Sequence, residues 1–135
     1  MKTYDVAVIG GGAGGSAAAK QAVRRGAQTC ILEKRYLGGV CLNTGCMPTQ
    51  AMLHASNLCW TARDAFRYFG LHAGEIEIDG RAYFDRVRQI VRELRDRTQR
   101  GIESVEGLDI YHGSGQLIGP HTIEFTGENR REELQ

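Results

Sequence analysis

The stretch YDVAVIGGGAGGSAAAKQAVRRGAQTCILEK, residues 4–34, constrains the fold most tightly. Residues 4–9 are a β-rich apolar run stopped by glycines, as a strand buried in a parallel sheet would be. Residues 16–26 (SAAAKQAVRRG) are strong helix formers closed by Gly26. Residues 27–34 (AQTCILEK) read as a second strand. Strand, glycine turn, helix and strand make a βαβ unit, and its parallel strands predict an α/β, Rossmann-like domain.

Gly10-x-Gly12-x-x-Gly15 falls directly between that strand and that helix. The first glycine permits the tight turn, the second lets a pyrophosphate approach the backbone, and the third lets helix and strand pack closely. The phosphates then lie at the helix N-terminus, where orphan N–H groups point. Alone the pattern is weak, because glycines recur in turns without a ligand. Here Glu33 ends the second strand, 18 residues after Gly15. A carboxylate there can accept hydrogen bonds from both ribose hydroxyls and repels a 2′-phosphate. The bland alternative for Glu33 is a surface acid. On these residues the dinucleotide is either NAD or FAD.

Residues 37–53, LGGVCLNTGCMPTQAML, hold Cys41 and Cys46 in a Gly- and Asn-rich loop that runs into a helix. Pro48 falls in the first turn of that helix, where its missing N–H costs nothing. A thiol at a helix N-terminus sits in a positive potential that favours the reactive thiolate. The pair reads as a redox dithiol. A zinc site would need a second cysteine pair or histidines at suitable spacing. Cys30, in a buried strand, and Cys59, on the apolar face of a helix, read as core, so no metal is expected. His54 could tune the thiols from the same helix, and His72, His112 and His121 carry no catalytic spacing.

Residues 46–69 place Ala51, Ala55, Cys59, Ala62, Phe66 and Phe69 on one helical face. A break with turn signals at Ala73-Gly74 and Asp79-Gly80 follows, then a helix over 82–101. Its apolar stripe is Val87, Ile90, Val91, Leu94 and Thr98, and its wet side is Arg86, Arg88, Arg92, Glu93, Arg95, Asp96 and Arg97. The interleaved acids argue for a solvated face rather than an anion patch. Residues 108–112, 116–118 and 122–125 are short strands, the last two forming a hairpin around Gly119-Pro120-His121. The expected domain is 1–126, with 127–135 as a polar tail that would be mobile if nothing follows it. With 17 basic and 16 acidic side chains the net charge is +1, so no long-range field recruits nucleic acid or an acidic membrane. Mean hydropathy is −0.35, and no apolar run nears the roughly 20 residues that span a bilayer. Four cysteines are too few for a secreted disulfide scaffold, and a reducing cytoplasm is expected.

The motifs VIGGGAGGSAAA, ILEK and above all GGVCLNTGCMPTQAML resemble the start of the FAD domain of the pyridine nucleotide–disulfide oxidoreductases. Dihydrolipoamide dehydrogenase, glutathione reductase and mercuric reductase belong to that family. The resemblance is specific at C-L-N-x-G-C-x-P and continues loosely through YHGSGQLIGPHTIEF. It implies FAD as cofactor, with Gly10, Gly12, Gly14 and Gly15 on its pyrophosphate, Glu33 on the adenosine ribose and Lys34 beside it. Gly39, Val40 and Gln50 would line the flavin, and Gly115 would lie by the adenine. Cys41 would be the outer, interchange thiol and Cys46 the inner, charge-transfer thiol of a reducible disulfide. The implied reaction passes electrons from NAD(P)H through flavin to Cys41–Cys46 and on to a small disulfide. Dihydrolipoamide dehydrogenase-like chemistry leads and mercuric reductase-like chemistry follows. Two departures qualify it. Gln50 stands where the family usually has lysine, and the family's further FAD-domain residues, NAD(P) domain and homodimerisation domain have no counterpart in these residues. The expectation is therefore an N-terminal piece without turnover of its own. The competing readings are a non-catalytic nucleotide-binding module and a small thiol-redox protein without flavin.

Overall fold

Thr29–Glu33 (β2) is the strand about which the rest of the chain is arranged, with four of its five residues buried. Its side chains alternate between the two faces of the sheet, as strand geometry requires. Cys30 and Leu32 join Tyr111, Ile123, Phe125 and Leu134 in one core cluster, while Ile31 joins Ala19, Leu37 and Ile102 in the other. The computed structural model describes residues 1–72 and 74–135.

Val6–Ile9 (β1) pairs parallel with β2, Val6 opposite Thr29. Leu108–Gly119 (β3) pairs parallel along the other side of β2, Leu108 opposite Thr29. From Gly113 onward β3 changes partner and runs antiparallel to Thr122–Gly127 (β4), which pairs antiparallel with Arg131–Leu134 (β5). The five-stranded order is β1-β2-β3-β4-β5. Ala13–Arg24 (α1) makes the first crossover and ends before Gly26, whose φ of +85° suits glycine. The α/β class and the βαβ unit are as the sequence predicts.

The second crossover carries Gly39–Asn43 (α2), Cys46–Arg63 (α3), a 3₁₀ turn Ala65–Phe69 and Gly80–Glu103 (α4). The helix expected over 46–69 stops at Arg63. The chain tightens into the 3₁₀ turn after Asp64, a poor helix former, and Gly70 leaves it in the left-handed region at φ +70°. Phe69, expected on the apolar face, is 82% exposed. Asp79, expected as a turn residue, caps α4 by accepting hydrogen bonds from the N–H groups of Arg81 and Ala82 at 2.9 and 3.0 Å. Ala73, of the other expected turn, lies outside the described residues.

Two expectations at the C-terminal end change. The strands expected at 108–112 and 116–118 are one twelve-residue strand. Gly113 and Gly115 look like a break in sequence but serve a close crossing. A Cβ on Gly113 would lie 2.6 Å from the Phe125 ring, and one on Gly115 would lie 2.9 Å from Leu32 Cδ2. The segment expected as a mobile tail contains β5. Leu134 is 1% exposed in the core, and Gln135 N–H donates to Lys2 C=O at 3.0 Å while its own C=O accepts from Tyr4 N–H at 2.6 Å. The charged residues around Leu134 mask that one anchor. The hairpin at 119–122 forms as expected, with Gly119 opposite Thr122. Among the described residues no helix is long and apolar enough to cross a membrane.

Candidate active site

The glycine turn after β1 is shaped by one left-handed residue and one close approach. Gly10 has φ +101°, which favours glycine, and a Cβ on Gly15 would strike the carbonyl oxygen of Gly10. Helix α1 therefore seats directly on the turn. Its N-cap is Gly12, no side chain caps it, and no acid stands in its first turn. The first N–H groups therefore have no side-chain cap. Gly14 faces open space in that turn.

Glu33, at the end of β2, holds this turn in place. One carboxylate oxygen accepts from Gly11 N–H at 2.7 Å and the other from Arg35 N–H at 2.8 Å. A carboxylate has further lone pairs, so both bonds leave capacity for hydroxyl donors. Ile9, Gly10, Leu32, Glu33, Lys34 and Gly115 line one cleft of about 210 Å³, together with Gly113 and Ser114. The structure thus brings Gly10, Glu33, Lys34 and Gly115 together from the ends of β1 and β2 and the middle of β3. Val40 and Gln50 do not line that cleft. They lie with exposed side chains on α2 and α3.

The cysteine segment is docked on the glycine turn through the backbone. Leu37, 3% exposed, enters the core beside Ile31. Gly38 N–H then donates to Gly11 C=O at 2.7 Å. Gly39 has φ +63°, and a Cβ there would sit 2.8 Å from Gly12 Cα. Cys41 lies in the short helix α2 rather than in a loop as expected, because Asn43 closes that turn. The amide of Asn43 donates to Gly39 C=O at 2.8 Å and to Leu37 C=O at 3.3 Å. Cys46 opens α3 after Gly45, with Pro48 in the first turn as expected. Cys41 and Cys46 form a disulfide with their Cα atoms 4.6 Å apart, and both residues are exposed. Gln50 stands one turn along α3 from Cys46.

Sequence reasoning misses the support behind this segment. Arg95, expected on the wet side of α4, is half-buried. Its Nε donates to Asn43 Oδ1 at 2.7 Å, and its guanidinium lies 3.7 Å from the centroid of the Tyr36 ring. Tyr83, also on α4, donates its hydroxyl to Met52 C=O at 3.2 Å. Gly11 and Leu37 are likewise unforeseen. Only the asparagine of C-L-N carried any signal, as a residue that hydrogen-bonds nearby backbone. Cys30 is fully buried, as expected, and burial pushes its thiol up to about 11, which leaves it inert at neutral pH. Cys59 is half-buried on α3. Among the described residues no group of three or more His, Cys, Asp or Glu is placed to hold a metal ion.

Residues 4–134 match the family model described as pyridine nucleotide-disulphide oxidoreductase. Dihydrolipoyl dehydrogenase of Bacillus subtilis is 36% identical over 120 residues, which are 87% of this chain and 24% of that protein. The mitochondrial dihydrolipoyl dehydrogenase of Pisum sativum is 37% identical over 132 residues, 93% of this chain and 26% of that protein. The chain thus spans about a quarter of the length of these relatives. A solved structure, the copper(II) complex of the HOCl-induced flavoprotein disulfide reductase RclA from Escherichia coli, superposes with a TM-score of 0.80 at 20% identity. The superposition covers 99% of this chain and 27% of that one, and it shows a shared fold.

Proposed function

The chain belongs to the pyridine nucleotide-disulphide oxidoreductase family, and on that premise we propose that it carries the FAD-binding, disulfide-bearing segment of an NAD(P)H-dependent reductase of small disulfides. The dihydrolipoyl dehydrogenase relatives favour a lipoamide-type substrate within that class. One observation carries the reading. The helix bearing Cys41 is seated backbone to backbone on the glycine turn, through Gly38 to Gly11 and Gly39 to Gly12. A dinucleotide held by that turn and a disulfide held by that helix are then neighbours by construction.

The residues fit FAD. The uncapped first turn of α1 offers N–H groups to a pyrophosphate, with Gly14 facing open space there and Gly12 and Gly15 shaping the turn beneath it. Glu33 keeps lone pairs for ribose hydroxyls while fixing Gly11, with Lys34 and Gly115 along the same cleft. Gly39, Val40 and Gln50 are assigned to the flavin end. When bound, FAD supplies reversible two-electron chemistry next to the disulfide. The remaining chemistry belongs to the two cysteines. With the pair reduced, the Cys41 thiolate attacks one sulfur of the substrate disulfide, and one substrate thiolate leaves. Cys46 then attacks the Cys41 sulfur of the mixed disulfide, the second substrate thiol departs, and the Cys41–Cys46 bond re-forms. Two electrons have passed from the dithiol to the substrate. Cys30 and Cys59 stay free thiols, which suits a reducing, cytoplasmic setting.

The purified chain titrated with FAD tests this through the visible flavin spectrum and its fluorescence. Binding is expected, weakened at least about tenfold in Glu33→Ala by loss of charge-assisted hydrogen bonds. No binding at about 100 μM FAD would overturn the assignment.

A further inference from the structure

We propose that Arg95 is a positioning residue for the disulfide chemistry: through Asn43 it holds the Cys41 helix in place when the Cys41–Cys46 bond is open. The inference rests on reading that pair as a redox disulfide, and it needs no flavin. Helix α2 has five residues, none of them buried, and a helix that short does not persist unaided. Asn43 ties its exit to its entry by donating to the carbonyls of Leu37 and Gly39. The remaining Asn43 acceptor takes its hydrogen bond from Arg95 Nε at 2.7 Å. Arg95 also covers Tyr36, the residue before Leu37, so one planar guanidinium grips both ends of the segment. It projects from α4, which is anchored by buried Val87, Val91 and Ile102. The same helix holds the Cys46 side, through Tyr83 and the Met52 carbonyl.

This arrangement matters unequally in the two redox states. With the disulfide closed, the covalent bond itself fixes α2 to α3. Once it opens, the short link Thr44-Gly45 still joins the two helices, and the noncovalent anchors set how Cys41 is held relative to Cys46. The brace therefore raises the effective concentration of one thiol at the other and favours closure of the bond.

The test equilibrates the purified chain with dithiothreitol buffers. One dithiothreitol thiolate attacks a protein sulfur and its second thiol closes the ring. This leaves two protein thiols and one oxidised dithiothreitol, a two-electron exchange. Alkylation with peptide mass mapping reads this pair separately from Cys30 and Cys59. Arg95→Ala is expected to shift the equilibrium about tenfold toward the dithiol, about 30 mV for a two-electron couple. Asn43→Ala should shift it similarly, and the double variant no further. Arg95→Lys, which keeps charge and a donor without the planar fork, should recover part of the shift. If Arg95→Ala does not fold, Arg95→Lys is read alone against wild type, and an unshifted equilibrium overturns the proposal. A lowered melting temperature with an unchanged equilibrium, or additive shifts in the double variant, overturns it too. A wild-type pair that never re-forms its disulfide refutes the redox reading instead, so the two failures are distinct.

Discussion

Gln50 lies one helical turn beyond Cys46 with its side chain in solvent, and it brings no charge to the position where the resembling family usually carries lysine. A cation there would stabilise negative charge developing on a reduced flavin. Gln50→Lys is therefore expected to speed dithionite reduction of bound flavin by about tenfold, the scale of one well-placed electrostatic contact. Stopped-flow absorbance would check this, and equal rates would retire the idea. The place of Glu33 was legible at this scale, because the end of the strand after a glycine turn brings an acid beside that turn. Its hold on Gly11 N–H was not, since the partner's identity depends on how the turn is folded back. Arg95 was illegible for a plainer reason. Its partner Asn43 is 52 residues away, and on the helix it looks like one charged residue among many.

The elements that periodicity governs were the readable ones. β1, α1 and β2 follow from residue type and glycine placement, and α4 from its apolar stripe. The elements set by tertiary contact were missed. Helix α2 is too short to nucleate from propensity, and it exists because Asn43 and the glycine turn hold it. Strand β5 (REEL) has one apolar residue, so its pattern signals nothing until its partner is known. That residue is decisive. Leu134 is almost fully buried against Ile123, Phe125 and Tyr111, and Leu134→Ala should cost about 2–5 kcal/mol. Urea unfolding would measure it, and a loss below about 1 kcal/mol would mean β5 is not packed as described.

Across the whole molecule, the N-terminal end of the chain is held to β3 by a polar cluster. The Tyr4 hydroxyl donates to Asp109 Oδ2 at 2.5 Å and lies 2.8 Å from the Tyr111 hydroxyl, while Lys2 Nζ reaches Asp109 at 3.1 Å. Burial, then the bond to Asp109, holds the Tyr4 phenol well above its usual range. The Tyr4 bond first, and that of Lys2 second, lower the Asp109 carboxyl below its ordinary value. A carboxyl depressed in the folded state stabilises the fold above its unfolded pKa of about 4, and the contribution is lost as pH falls through the folded value. Asp109→Asn should therefore flatten the loss of stability below about pH 4. Acid titration followed by tryptophan fluorescence would show this, and identical profiles would contradict it.

The change of partner halfway along β3 has a kinetic consequence. Its antiparallel half meets β4 across Pro120 and His121, and β5 follows after residues 128–130, so these pairings close short loops. Its parallel half meets β2 only after the long crossover from residue 34 to residue 107 has been drawn in. Short loops close faster than long ones, so the β3–β5 meander should gain protection before the parallel pair. Pulse-labelled hydrogen exchange would order the two, and earlier protection of β1 and β2 would reverse the sequence. Gly115 belongs to the early piece, whereas Glu33 and Lys34 belong to the late one. On that order, their shared cleft is completed only when the parallel pair forms, and a ligand that needs both walls would bind only chains that have reached that stage.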